Sequence, residues 1–189
     1  EFPGRGLVRV MLISPFFIMP AVNAIIWKNM MFDPIYGLIN VVWTFFGFEA
    51  VAWLELYPLQ GIITMVAWQW TPFAILIFMT SLQSEDQQQK EAAILDGVGA
   101  WAQFRYLTIP HLARPIAIVV MIQAIFHLSL YAEIEIVSRG NGNKNLPYLI
   151  GEFASNNIGA ASATGILAVI MANIVAIFLL RIVGKSLMD

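Results

Sequence analysis

The sequence predicts an all-α, polytopic membrane helix bundle with four spans in this chain, and three observations predict it. Of 189 residues, 59% are hydrophobic and only 12% are charged, whereas a soluble domain is normally about a quarter charged. The mean hydropathy is +0.75. The apolar residues gather into four runs, each long enough to cross a hydrocarbon core that about 20 helical residues span. Between the second and third runs lies a polar island, residues 83–114, which carries much of the charge and so faces water.

The first span runs from about Leu7 to Met30, after Phe2-Pro3-Gly4-Arg5-Gly6, which reads as the middle of a loop; an upstream portion is expected. Pro15 and Pro20 inside the span each remove a backbone donor and bend the helix, which a bilayer tolerates only where neighbouring helices cover the freed carbonyls. Lys28 is placed to snorkel to the interface. From Phe32 to Pro58 the chain holds Asp33, Glu49 and Glu55, no Lys or Arg, and many aromatics, among them Trp43, Phe45, Phe46, Trp53 and Tyr57. That mixture fits an interfacial helix and loop on the outer face. The second span, Leu59 to Leu82, carries Trp68-Gln69-Trp70-Thr71-Pro72-Phe73 near its middle. There Pro72 leaves the Trp68 carbonyl without its helical partner, and Gln69 places an amide at hydrocarbon depth.

The third span, Pro115 to about Val137, is less apolar, with Gln123, His127, Ser129, Tyr131, Glu133 and Glu135. A charged carboxylate deep in a bilayer costs about 2.5 to 3.5 kcal/mol, so these residues should face a bundle interior or water. On a straight helix His127 lies about 18 Å from the inner end, near the midplane and level with Gln69, and Glu133 lies about 27 Å in, near the outer interface. A polar turn, Ser138 to Asn145, and the segment Leu146 to Ile158 lead to the last span, Gly159 to about Arg181. It opens on small residues, Gly159, Ala160, Ala161, Ser162, Ala163 and Gly165, which place it against another helix.

Within the island the local chemistry reads as two short helices with a break. Ser84 with Gln87 fits a capping box, Asp86 and Lys90 stand at i and i+4, and Glu91-Ala92-Ala93 propagates a helix. Asp96-Gly97 stops it, because Gly97 can take the left-handed conformation that closes a helix. Gly99 loosens the link, Asp96 is a candidate cap for the second helix, and Ala100 to Tyr106 restarts before Pro110 ends it. Seven of the ten basic residues, Arg5, Arg9, Lys90, Arg105, Arg114, Arg181 and Lys185, fall on one side of the predicted topology, against Lys28, Arg139 and Lys144 on the other. The positive-inside rule then puts the island and both ends of this chain in the cytoplasm.

Glu91-Ala92-Ala93, then Asp96-Gly97, Phe104 and the Ile109-Pro110 pair resemble the EAA loop of bacterial ABC importer permeases, the binding-protein-dependent inner membrane components. The resemblance covers nearly the whole chain, 1–189, as one permease domain with residues 83–114 as its coupling loop, and implies a six-helix core of which this chain offers four. It implies that Glu91, Ala92, Ala93, Asp96, Gly97, Phe104 and Pro110 form the coupling hairpin, seated in a cleft of a cytoplasmic ATPase. Glu91 also has a plainer role open to it, a helix N-terminal charge on a solvated face. The implied partners are two ATPase subunits, a second permease subunit, a periplasmic solute-binding protein and the lipid bilayer of the bacterial inner membrane. Within the family the chain is similar to the maltose-type carbohydrate class. The stretches Pro3 to Gly6, Trp68 to Phe73, Tyr106 to Pro115 and Ala172 to Lys185 look like its sorbitol and mannitol branch. Asp33 to Asn40 is similar to a sugar-permease loop. One departure is Gly140-Asn141-Gly142-Asn143, where such permeases carry a glycine-glycine-proline turn; it bears on the outer loop's shape and its fit to a binding protein.

Enzymatic chemistry finds nothing to hold here. There is no G-x-x-x-x-G-K-[ST] phosphate loop, so ATP is hydrolysed by partner subunits and the chain itself needs no cofactor. His111 and His127 are the only histidines, no H-E-x-x-H or G-x-S-x-G occurs, and no catalytic or metal residue is assigned. Cysteine is absent, and a net charge of −2 gives no nucleic-acid footprint. Gln69, Trp70, Phe73, Gln123, His127 and Ser129 are the candidate solute path, because aromatic faces beside amides and hydroxyls suit the apolar faces and polar edges of a sugar or polyol. Helix packing with satisfied interhelical hydrogen bonds is the alternative for each. A permease for a non-carbohydrate solute, or an ion-coupled secondary transporter, are the other functions weighed. The latter needs an inverted repeat and mid-membrane carboxylates, which the sequence lacks.

Overall fold

Helix formation follows the apolar runs, and the prolines decide where it bends. In the computed structural model, which describes residues 4–188, the first run is a pair of helices with a sharp bend between them. α1 (Arg5–Ile13) passes into a 3₁₀ turn, Ser14–Phe17, with Pro15 at its start. Ile18 and Met19 are extended, and α2 (Pro20–Ile26) begins with Pro20 in its first turn, where the missing N–H costs nothing. The two arms meet at 107°. Phe2 and Pro3 of the opening loop lie outside the described residues, as do the side chains of Arg5 and Lys185.

A π-turn, Trp27–Met31, ends α2, and the segment that follows holds α3 (Leu38–Phe45) and α4 (Trp53–Leu56). α5 (Pro58–Gln83) matches the second predicted span and runs through Pro72 without stopping. The island supplies α6 (Gln87–Leu95) and α7 (Ala100–Gln103), then a π-turn, Phe104–Thr108, and α8 (Ile109–His127). α9 (Ala132–Val137), α10 (Leu146–Ala154) and α11 (Ile158–Met188) complete the chain. Among the described residues three helices are long and apolar enough to cross a membrane, Pro58–Gln83, Ala100–His127 and Ile158–Arg181, and the number is four if the bent pair is one span.

The third span is therefore shifted relative to its prediction. Helix is continuous over Ala100–His127, because the π-turn opens the backbone just ahead of Pro110, whose ring would otherwise press on the Tyr106 carbonyl. Pro110 thus does not end the second helix of the island. The helix breaks instead after His127, and the chain turns before α9. Glu133 lies beyond that break rather than on the same straight helix: it is 3% exposed, on an α9 that packs on α2, where the Lys28 ammonium donates to the Ile136 carbonyl at 2.6 Å. Lys28 is accordingly tied to protein rather than free to snorkel.

Two compact units divide the described chain: the stretch up to Pro72 with Phe126–Asn173, and Phe73–Ile125 with the end of α11 from Ile174. The first has a buried core of Ala24, Phe32, Ile62, Met65, Val66, Ile134, Val137 and Tyr148. Within α3 Asn40 is 2% exposed. Its amide donates to the carbonyls of Asp33, Pro34 and Val51, and its oxygen accepts from the Val51 N–H and the Trp53 indole N–H. Of the small residues that open α11, Gly159, Ser162 and Ala163 are exposed, Ala160 and Gly165 are half-buried and Ala161 is buried at 9%.

Candidate functional site

The island's first helix is fixed at both ends by backbone chemistry. Asp86 is its N-cap, the carboxylate accepting from the Gln88 N–H at 2.9 Å. The predicted Ser84 cap is not made, since the Ser84 hydroxyl turns back to the Ser81 carbonyl at 2.7 Å. At the far end Asp96 is the C-cap of α6, not a cap of α7, whose N-cap is Gly99 without a side-chain bond. Gly97 follows with φ 74°, the left-handed region where a side chain is strained. The Gly97 N–H donates to Ile94 O at 3.0 Å and the Val98 N–H to Ala93 O at 2.9 Å, the paired bonds of a Schellman closure. Ala93 therefore supplies a carbonyl to the turn as well as a small side chain.

Below the hairpin a polar clamp ties its parts together. Glu85, 8% exposed, pairs with Lys90 of α6 at 3.0 Å and accepts from the Thr108 hydroxyl of the π-turn at 3.1 Å. Lys90 thus pairs with Glu85 rather than with Asp86 four residues before it. Burial pushes the Glu85 carboxyl up, but the hydrogen bonds from Lys90 and Thr108 and the charges of Lys90 and His111 outweigh it and hold the group below the usual carboxylate range. His111 Nε2 lies 2.8 Å from the Ser81 carbonyl, linking α8 to the end of α5. The sequence reading missed Glu85. Its signal was an acidic residue five positions before a lysine, beside a helix start.

What the hairpin shows to water is apolar at its turn. Glu91, Ala92, Asp96, Gly97, Phe104 and Pro110 are exposed and Ala93 is half-buried. Ile94 is 62% and Leu95 87% exposed, and Trp101, 75% exposed, packs against Phe104 with ring centres 5.8 Å apart. A short, rigid, capped helix with bare aliphatic side chains at its tip is suited to enter a groove on a partner.

The candidate path residues separate into two groups. Trp70 is ringed by Phe16 at 5.7 Å, Phe126 at 5.1 Å and His127 at 5.4 Å, the imidazole edge-on to the indole. The buried His127 Nε2 has no hydrogen-bond partner there. Ser129 donates to the Phe126 carbonyl at 2.7 Å. Gln69, 5% exposed, has both ends of its amide engaged: Nε2 donates to Ile18 O at 2.6 Å and Oε1 accepts from Asn23 at 3.0 Å. The Ile18 carbonyl needs that donor because the bend has removed its helical one. Asn23, fully buried and also bonded to Met65 O at 3.2 Å, is a second polar residue the reading missed, although an asparagine within an apolar run was its sign. Phe73 and Gln123, both half-buried, belong to the other compact unit.

Comparison with known proteins agrees with this architecture. Residues 4–189 match the family described as binding-protein-dependent transport system inner membrane component. A probable ABC transporter permease protein of Sinorhizobium fredii is 38% identical over 157 residues, 82% of this chain and 50% of that protein. The trehalose/maltose transport system permease protein MalF of Thermococcus litoralis is 29% identical over 176 residues, 89% of this chain and 59% of its own. The lactose transport system permease protein LacF of Rhizobium radiobacter is 30% identical over 144 residues, 72% and 47%. The chain thus spans about half to three-fifths of the length of these relatives. The fold is shared with the crystal structure of a bacterial ABC transporter involved in alginate import, at a TM-score of 0.74 and 18% identity, over 98% of this chain and 68% of that one. By its sequence and its helices the chain belongs to the inner membrane components of binding-protein-dependent transport systems, the permeases of ABC transporters, and is a membrane component rather than an enzyme.

Proposed function

We propose that this chain is the pore-forming subunit of an ATP-driven importer for a sugar or sugar alcohol, and that the α6 hairpin is gripped by a separate ATPase subunit. The observation that carries the reading is an exposed helix, closed at both ends by capping, with Ile94 and Leu95 bare beside Glu91. A periplasmic binding protein delivers the solute, two ATPase subunits close on ATP, and the hairpin passes that motion to α5 and α8, which it directly joins. A second permease subunit supplies the other half of the pore. The hairpin side is cytoplasmic, as are both ends of this chain, from the distribution of basic residues.

A carbohydrate solute is supported by relatives named for trehalose, maltose and lactose and by the aromatic setting of Trp70 and His127. Sugar alcohol is the narrower reading, resting on the sequence stretches that resemble the sorbitol and mannitol branch. Trp70, His127 and Ser129 are proposed to meet the solute, and Gln69 to hold the wall behind Trp70; Phe73 and Gln123, in the other compact unit, are separate candidates for solute contact.

Purifying the full-length permease from its membrane tests the core of this. An ATPase subunit and a second permease are expected to come with it, and the ATPase to be lost when Leu95→Asp and Ile94→Asp are introduced. A permease that purifies alone, and takes up solute without ATP when reconstituted, removes the importer assignment. Competition of uptake by sugar alcohols against disaccharides separates the two solute readings.

A further inference from the structure

Globular helices turn their apolar side inward, and α3 does the reverse. Leu38, Val41, Val42 and Phe45 recur at the spacing of one helix face, an arc of about 100°. They are 54%, 53%, 51% and 84% exposed, while Asn40, on the opposite side, is 2% exposed and bonded to Asp33, Pro34, Val51 and Trp53. Asn40 therefore fixes the rotation of α3: the polar residue is locked inward by five hydrogen bonds, and the apolar arc must look out.

From this we infer that the outward face of α3 lies in the lipid headgroup boundary, as a short helix parallel to the bilayer surface. Eight residues give about 12 Å of helix, too little to cross a hydrocarbon core of about 30 Å. The helix stands between the end of the bent pair at Met31 and the start of a span at Pro58, and so at an end of membrane segments. Its outward face carries no donor, acceptor or charge, as lipid requires. A docking surface that is alternately bared to water and covered by a soluble protein would carry a polar rim instead. Trp43 stacks on Phe48 at 4.5 Å and meets Trp53 edge-on at 5.5 Å, the amphipathic aromatic pairing favoured at headgroup depth. The inference requires a membrane-embedded chain, and holds whatever the solute and whichever side this segment occupies.

The absence of cysteine from the chain makes the test direct. Val42→Cys, Phe45→Cys and Glu49→Cys are each introduced into the full permease, assembled with cysteine-free partner subunits in vesicles of phosphatidylethanolamine and phosphatidylglycerol, and labelled with a nitroxide. The expected result is collision with oxygen several-fold greater than with a water-soluble nickel chelate at positions 42 and 45, and the reverse at position 49. Free access of the chelate to positions 42 and 45 places the face in water and overturns the inference. Protection of both from oxygen and chelate alike places a protein subunit over them and overturns it equally. Leu38→Cys and Val41→Cys give independent readings of the same face should a labelled variant fail to assemble.

Discussion

Replacing Gly97 tests the proposed coupling role of the hairpin through its backbone alone. The residue sits at φ 74°, and a Cβ added there meets no atom within 4 Å, so crowding plays no part. Alanine in the left-handed region costs about 1–2 kcal/mol, which lowers the ratio of closed to open turn by about 5- to 30-fold. Asparagine, which tolerates that region better, costs less. Proline costs most, because its φ near −65° is incompatible with the turn and it deletes the donor that bonds Ile94 O at 3.0 Å. The expected order of damage is Asn, then Ala, then Pro. Amide exchange at Val98, whose N–H closes on Ala93 O, reads the turn directly, and uptake per ATP hydrolysed in reconstituted vesicles reads its consequence. Membrane insertion should be unchanged throughout, since α5 and α8 are untouched. Wild-type exchange and uptake in Gly97→Ala and Gly97→Pro, or greater damage from Asn than from Ala, would refute the closure as the source of coupling.

Three further outcomes follow from the same structure. Glu85→Gln removes the ion pair to Lys90, and protease sensitivity of residues 83–114 should rise at neutral pH. Because the folded Glu85 carboxyl is held below its ordinary value, its contribution is complete above the usual carboxylate range and is lost as pH falls through the lowered value; wild type should loosen there and Glu85→Gln should not. Asn40→Leu strands the Val51 N–H and the Trp53 indole N–H, at about 1–3 kcal/mol for each buried group, and should expose the Val51 amide to exchange while shifting tryptophan emission. Gln69→Leu strands the Ile18 carbonyl and leaves the Asn23 amide only its Met65 acceptor, so loss of thermal stability should accompany any change in uptake, whereas His127→Leu should alter solute affinity with little loss of stability. Equal effects of the two on stability would count against separate roles for them.

How much of this was legible in the sequence depended on the range of the interaction. The left-handed turn at Gly97 and the helix ahead of it were readable, because both are set by residues within about five positions of one another. The identity of the N-cap was not: Ser84, Asp86 and Gln87 offer competing local bonds, and the choice of Asp86 came from the way α5 ends on Ser81. The extent of the third helix was misjudged because Pro110 was taken as a stop, whereas one π-turn absorbs it. Glu133 was assigned to a helix continuous from Pro115 because a break after His127 leaves little trace in an apolar run.

The sequence by itself determined that this is a helical membrane protein with a capped helical hairpin, since hydropathy, proline, glycine and capping chemistry act locally and need no partner. Only the tertiary structure decided which polar groups meet. Gln69 bonds Ile18 and Asn23, 51 and 46 positions away, and Lys28 bonds Ile136, 108 positions away. A buried donor has to find some acceptor, but which one it finds is settled by how the helices assemble, and in this chain that includes a 107° bend that frees the carbonyl Gln69 then satisfies.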